Sequence, residues 1–538
     1  MPKLFSSALA AIRRVWWCVV VLGAASCSGP GTPVPAPAAP RWAPDSATVR
    51  VAAGPRYARG PVWQFFWGKH YRGLWATAVT VPVLRLVTAA PGGLRPVQAG
   101  GSYQSRTLRL RAPNGREFVL RSVDKDASVA LPAGWKRRLL GGLMRDQTSV
   151  SQPFGAYPAA ALAEAAGIYH THPRLVYLPD DPGLGSFRAK YANALYLLEE
   201  RPDGNQTDRP GFGHSAQVVS TAHLLAAIHG RPTARVEARA YLRARLLDIW
   251  LGDWSRREDQ WRWASFVQAG RVRYRPIPRD RDQAFFLFDD GLMTRIVSWF
   301  VPKYQSFHAT IRLGNVDGLT ATARALDRTL LATLSADDFR QEADSLGRRL
   351  TDVAIARALV AGPPETRRAI AARLGPLLRA RRAQLPAVAR RYYEVLAREA
   401  WLVGTDGNER FIISGAGAGR LRVRLLARRP HQPDSLLAER IYDRKETQRL
   451  NLYGLGGDDV FEVVPPLSPH FAVNIYSGVG HDQVVRPKTA AAGIQNLTWF
   501  TRPGPGTPLI KGLPLEADPH AELTSDSNAW LGRYNLHD

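Results

Sequence analysis

The chain has 538 residues, 45% hydrophobic and 22% charged, a globular composition that sets aside disorder, collagen-like repeats and polytopic membrane folds. Its formal charge is +26, from 72 Lys and Arg against 46 Asp and Glu, and 63 of the basic residues are Arg. Those arginines are scattered, not gathered into tracts with interleaved aromatics. Nucleic acid is therefore a disfavoured partner, and an acidic lipid or polysaccharide surface suits the charge at least as well. Both cysteines, Cys18 and Cys27, lie in the first 27 residues, which removes thiol nucleophiles, disulfide frameworks and Cys-based zinc sites from the body of the protein.

Lys3, Arg13 and Arg14 precede an apolar run over residues 15–25 that is too short to span a bilayer comfortably and stops at Ser26-Cys27. This pattern predicts an export signal over residues 1–26. The small residues before Cys27 resemble a bacterial lipobox, with Ala24 where Leu is usual. Residues 27–58 are rich in Pro and read as a stiff tether. The expectation is a chain acylated at Cys27, with the membrane as a partner through that lipid. Outer membrane or cell surface is the expected location, and the periplasm is the alternative.

Along the body, residues 103–111 and 117–123 alternate about Asn114-Gly115 and predict a hairpin. Residues 158–167 predict a short Ala-rich helix closed by Gly167, and residues 174–178 and 194–198 predict strands. Helical spacing runs through residues 215–251 and 318–400, with loops at 362–364 and 385–386. After Gly404 the period switches to two. There residues 454–458 and 478–482 share the form Gly-x-Gly-x-Asp, similar to half of a calcium-binding β-roll repeat. Their spacing is not that of a stacked nonapeptide array, so a tight solenoid turn is preferred over a calcium site. His170 and His172, with Asp180 and Asp181 nearby, read first as a structural pair and second as a metal site.

The densest polar constellation is Gly252-Asp-Trp-Ser-Arg-Arg-Glu-Asp-Gln-Trp261, followed by Pro278-Arg-Asp-Arg-Asp-Gln-Ala-Phe285. Asp253, Glu258, Asp259, Asp280 and Asp282 bring five carboxylates into these two blocks. Helix, polar loop, hairpin and acidic turn is the arrangement by which kinase-like folds hold a metal-nucleotide. The interleaved Arg256, Arg257, Arg262, Arg279 and Arg281 offer the alternative of a structural ion network.

Both blocks resemble segments of large, mostly uncharacterised Bacteroidetes cell-surface proteins, over residues 60–480. Their core is also similar to the catalytic loop of lipid kinases and secretory-pathway kinases. The resemblance implies a kinase-like two-lobed core; with the period-two segments after Gly404, the expected fold is α+β, that core followed by a small all-β module. The implied divisions are a β-rich N-lobe-like region at 59–204, a helical C-lobe-like region at 205–403, the β module at 404–500 and a flexible tail at 501–538. It implies ATP with Mg²⁺ or Mn²⁺ as cofactor and Asp280, Asp282 and Gln260 as metal ligands. Arg121 and Lys125 are the implied nucleotide-strand cations, with Glu164 as their ion-pair partner. Residues 197–200, including Glu200, are the implied adenine hinge, and residues 99–104 the turn over the nucleotide. The catalytic aspartate of the pattern falls at Ser255, so Asp253 or Asp259 has to take its role. Two functions stay open: a phosphotransferase, active or degraded, or a non-catalytic surface lipoprotein that binds an envelope protein or glycan.

The amino-terminal expectation is checked by mass spectrometry of the mature terminus. An acylated Cys27 as first residue is the expected outcome, and Cys27→Ser should then abolish membrane partitioning through the lipid.

Overall fold

Strand β1 (Thr48–Ala52) pairs antiparallel with β2 (Ala78–Pro82), and the short helix α1 (Pro61–Trp67) lies between them in sequence. The computed structural model describes residues 43, 46–100, 105–126, 128, 134–301, 303–417, 419–464, 471–485, 496–501, 513–534 and 536. The described chain is a mixed α/β structure whose strands form five sheets.

The predicted hairpin is present as β4 (Thr107–Arg111) and β5 (Glu117–Ser122), preceded by β3 (Arg95–Gly100). Helix α2 (Ala156–Ala165) follows, then β6 (Arg174–Leu178) and β7 (Ala194–Arg201). The strands associate antiparallel in the order β3-β4-β5-β7-β6. Period-two alternation assigns the two faces. Leu108, Leu110, Leu120, Val176, Leu178, Tyr196 and Leu198 fill one apolar cluster. Val123, Leu175, Tyr177, Leu195 and Leu197 point the other way and join the central core.

Residues 215–251, expected as continuous helix, contain β8 (Gln217–Ser220), α3 (Thr221–Gly230), β9 (Ala234–Val236) and α4 (Ala238–Leu251). The β-branched Val218 and Val219 pair instead with β10 (Trp261–Gln268), which forms a hairpin with β11 (Arg271–Pro278). Helix α4 is buried on every side in its second half, from Leu246 through Leu251, and it carries Arg245 and Asp248 inward with them. A helix apolar all round belongs in the middle of a fold. Around it pack α2, α6 (Ala336–Arg349), α7 (Pro364–Arg382) and α8 (Leu385–Ala397), while α5 (Leu292–Phe300) packs against α1.

After α8 the chain winds into coils. Strands β12 (Glu399–Val403), β16 (Arg449–Tyr453), β18 (Ala472–Tyr476), β20 (Leu497–Thr501) and β21 (Leu515–Ala517) stack in parallel. Facing them, β13 (Glu409–Gly415), β17 (Val460–Val464) and β19 (Gln483–Val485) are also parallel, with β14 (Arg420–Arg429) and β15 (Gln432–Asp443) added as a hairpin. Both sheets contribute to one apolar cluster, including Leu402, Phe411, Leu452, Phe461, Ile475 and Trp499. Like residues stack across coils. The rings of Tyr453, Tyr476 and Phe500 lie 4.9 and 4.8 Å apart, and Asn474 Nδ2 donates to Asn451 Oδ1 at 2.9 Å.

The coil register shifts the sequence repeat by one residue. Tyr453 stacks on Tyr476, and Val460 pairs with Gln483, so Asp482 lies over Asp459, not over Asp458. Asp459 N–H donates to Asp482 Oδ1 at 3.1 Å, and Glu409 N–H donates to Asp459 Oδ1 at 2.7 Å. Gly454 is required here, because a Cβ would lie 2.3 Å from Asp459 Oδ2. The three turns thus carry a buried column of acids. Burial first, and then Glu409, push Asp459 up to about 9; burial also raises Glu409 to about 7 and Asp482 to about 6.

Residues 513–534, within the expected flexible tail, fold back onto the coils. Trp530 is fully buried, 5.7 Å from Trp401 and 4.7 Å from Tyr453, and Tyr534 Oη lies 2.7 Å from Thr329 Oγ1. The Gly404 junction is held as well: Asp406 N–H donates to His229 O at 2.7 Å, and its Oδ1 accepts Ser527 N–H at 2.8 Å.

The acid column sets a pH dependence. An acid harder to ionise when folded binds more protons in the native state, so stability falls as pH rises from the unfolded value of 3.8 toward about 9 for Asp459. Asp459→Asn should flatten melting temperature against pH over that window and raise it by a few degrees at pH 8, measured by calorimetry.

Candidate functional site

Helix α4 ends at Gly252, whose φ of 69° is the left-handed value that glycine adopts freely, and the chain turns at once into the first acidic block. Asp253 is buried there. Its Oδ1 accepts Ser255 N–H at 3.1 Å, and its Oδ2 accepts Arg256 Nη2 at 3.1 Å. Arg256, also buried, donates Nη1 to Arg279 O at 2.6 Å and Nη2 to Asp280 O at 2.5 Å. Arg279 N–H in turn donates to Gln260 O at 2.9 Å. One guanidinium thereby staples the first acidic block to the second.

The staple stands on a charge network beneath it. Asp248 Oδ1 accepts Arg281 Nε at 3.0 Å, and its Oδ2 accepts Arg245 Nη1 at 3.3 Å. Arg245 also grips Asp327 with both Nε and Nη2, at 2.8 and 3.1 Å. Arg245, Asp248, Asp253, Arg256 and Asp327 are each at most 1% exposed. Buried ions persist only with such partners.

On the other side of the second block stands the β3–β7 sheet. Arg121 on β5 donates Nη2 to Glu199 Oε2 and holds Asp280 Oδ2 with Nη1, both at 2.9 Å. Thr171 Oγ1 donates to the same Glu199 oxygen at 2.7 Å, and Lys125 ion-pairs with Asp282. Gln260 Nε2 is 3.5 Å from Asp280 Oδ2. Arg121, Lys125, Gln260, Asp280 and Asp282, picked out separately in the sequence, therefore meet in one polar cluster.

Other candidates stand elsewhere. Glu164 is exposed on α2, and the carboxylate that meets Arg121 is Glu199 on β7. Glu200, one residue on, faces the opposite side and pairs with Arg116 and Arg209 at 3.2 and 3.3 Å. Leu197 and Leu198 are paired on both sides, by β5 and β6, so they form the middle of a sheet and not an open hinge edge. Asp259 is held at both oxygens by Arg257, at 3.0 and 3.1 Å. The rings of His170 and His172 are 4.6 Å apart, and burial pulls His170 down to about 4. Cys27 and residues 101–104 lie outside the described residues. Among the described residues, no group of three or more His, Cys, Asp and Glu is arranged to hold a metal ion.

The cluster has uneven electrostatics. Burial alone would raise the Asp280 carboxyl, yet Arg121, Lys125 and Arg256 outweigh it and hold the group well below the usual carboxylate range. Burial and the adjacent Asp280 raise Asp282, and Lys125 offsets them only in part. Burial raises Asp253 to about 7 despite Arg256. Asp280 has φ of 58°, an uncommon backbone state for a residue with a side chain and one that collects at functional sites. Its Oδ1 is buried without a hydrogen bond among the described residues. Among the described residues Arg279 makes no ion pair. Burial and the nearby Arg262, Arg121 and Arg201 pull it down to about 9. The sequence assigns Arg279 only to a structural ion network and Glu199 only to the hinge strand; strand parity is the signal that places Glu199 with Arg121.

The sequence matches no family model and no curated protein, so these comparisons lend no support to membership of the Bacteroidetes surface group. Among solved structures, a Helicobacter pylori proinflammatory kinase, CtkA, aligns over 55% of this chain and 94% of its own at 11% identity and a TM-score of 0.28. A similarity at that level carries neither fold nor function.

The Arg121 bridge can be tested by stability. Arg121→Met leaves Glu199 and Asp280 without their shared cation and should cost about 3–5 kcal/mol in urea denaturation, while Arg121→Lys should recover part of it.

Proposed function

We propose that the polar cluster where β5 and β7 meet residues 279–282 binds a phosphate-bearing ligand, expected as ATP with Mg²⁺ or Mn²⁺, within a kinase-like two-lobed core. The observation that carries this reading is the convergence of Arg121, Lys125, Asp280 and Asp282, from segments far apart in the chain, beside an Arg279 that makes no ion pair among the described residues. Sheet order agrees with the reading, since the helix α2 falls between the third and fourth strands and the basic residue lies on the third.

A divalent ion suits part of the donor set. Among the described residues the buried Asp280 Oδ1 makes no hydrogen bond of good geometry, and Asp282 lies two residues on. Such an ion would neutralise phosphate charge, while Arg121 and Lys125 position the ligand. The acceptor side is weaker. Ser255 brings no carboxylate, Asp253 is sealed against Arg256, and Asp259 is tied to Arg257. The reading is thus of a nucleotide binder whose transfer step is degraded. The coils after residue 399 form its β module, and a lipid on Cys27 would place it at the cell envelope. A second reading, a non-catalytic lipoprotein with a structural ion network, draws on one observation: Asp253, Asp259, Asp280 and Asp282 each already have a cation.

Calorimetric titration with ATP and with tripolyphosphate, with and without Mg²⁺ and Mn²⁺, decides between them. Binding is expected, and Arg279→Gln should weaken it tenfold or more, about 1.4 kcal/mol. Asp280→Asn should remove the metal enhancement but not metal-free binding, since it deletes a negative charge. Ser255→Asp should raise phosphate transfer. No binding of either ligand under any metal condition overturns the proposal in favour of the second reading.

A further inference from the structure

Helices α1 and α5 carry an apolar surface that the polar cluster does not use. Val62 is 70% exposed, Phe65 64%, Trp299 70% and Phe300 58%, with Phe66, Leu292 and Val297 also open to solvent. The two helices lie side by side. A Cβ on Gly291, just before α5, would stand 2.3 Å from Gly68 N, just after α1, so backbone meets backbone there. Folded proteins seldom leave so many large apolar side chains together on one surface without a use for them.

Charge says what could cover it. Residues 59–73 contain Arg59, Lys69 and Arg72 and no acid; residues 291–304 contain Arg295 and Lys303 and no acid. Lys69, Arg295 and Lys303 are exposed. The flanking Asp290 is engaged by His70, and Asp289 by His308 at 2.9 Å. A second copy of this chain meeting the patch about a two-fold axis would set these cations against their own kind. Exposed Trp and Phe bordered by Lys and Arg, with no intervening carboxylate, is the composition that settles at the headgroup level of an acidic membrane.

We propose that α1 and α5 together form a docking surface for an anionic lipid bilayer, with Phe65, Trp299 and Phe300 entering the interface and Lys69, Arg295 and Lys303 meeting lipid phosphates. The surface lies on the bilayer without crossing it; among the described residues no helix is long and apolar enough to cross. The inference is independent of what the polar cluster binds.

The test uses the full chain with Cys18→Ser and Cys27→Ser, and an environment-sensitive fluorophore attached through Trp299→Cys. A second preparation carries it at Val353→Cys, an exposed position on another helix. With vesicles containing phosphatidylglycerol, the label at 299 should shift to the blue and be quenched by nitroxides on the lipid chains. The effect should be at least fivefold smaller with pure phosphatidylcholine or at high salt, and absent at 353. In the unlabelled chain, Phe65→Ser with Phe300→Ser should reduce vesicle co-flotation by a similar factor. The proposal is overturned by no shift at 299 with any vesicle, or by equal shifts at both positions. It is equally overturned if the shift appears with rising protein concentration alone, which would identify a second copy as the occupant.

Discussion

Asp248 is the carboxylate on which the site rests. It lies in the middle of a helix with no solvent beside it, where an unpaired ion would be intolerable. Its two oxygens therefore fix Arg281 and Arg245, and Arg256 Nε lies 3.8 Å away. Arg281 belongs to the second acidic block and Arg256 to the first, so one buried charge determines how the two blocks face each other. The whole cluster inherits that placement, including the Asp280 carboxylate that Arg121 reaches from the opposing sheet.

The basic composition takes on a different meaning inside this fold. Arg72, Arg121, Arg201, Arg245, Arg256, Arg262, Arg281 and Arg381 are buried. Several act as hydrogen-bond hubs for backbone oxygen. Arg381 donates to the carbonyls of Ile249, Trp250 and His308 at 2.8, 2.7 and 3.0 Å and so closes the carboxyl-terminal end of α4. Arg72 binds Gly68 O and Tyr57 O as well as Asp146. A planar group with five donors can satisfy carbonyls from three segments at once, which an ammonium does less well. These arginines are thus internal architecture and say little about an outside polyanion.

What could be read from the sequence divides along physical lines. Period-two segments bounded by turns, such as residues 107–122 and 174–178, were legible because sheet faces enforce alternation. The acidic blocks were legible because Trp and charge recur in an unbroken pattern. Errors arose where one residue of phase decides the outcome. Glu200 and Glu199 are chemically alike, yet adjacent strand positions face opposite sides, and only Glu199 shares the side of Arg121. The glycine repeat misled in the same way, since aligning Gly454 with Gly478 places Asp482 over Asp458 when the coils place it over Asp459. Glu164 failed for another reason: a short Ala-rich helix has little to fix its rotation in sequence, and packing chose the alanines for the inside. Cation partners such as Arg279 O with Arg256 involve backbone, to which sequence patterns are blind.

The docking of Trp530 makes the order of assembly matter. Its partners Trp401 and Tyr453 end two neighbouring coils, and His229, 6.0 Å from the same indole, belongs to α3. These contacts join residues separated by as many as three hundred positions, and such closures form late because the intervening chain loses the most freedom in making them. Until the segment around Trp530 arrives, the coils and the helices each possess a core, but the seam between them lacks its aromatic filling. The last described helix thus serves as a keystone: it adds few residues, yet it fills a seam that otherwise rests on polar contacts such as Asp406 N–H to His229 O and Tyr393 Oη to Glu446.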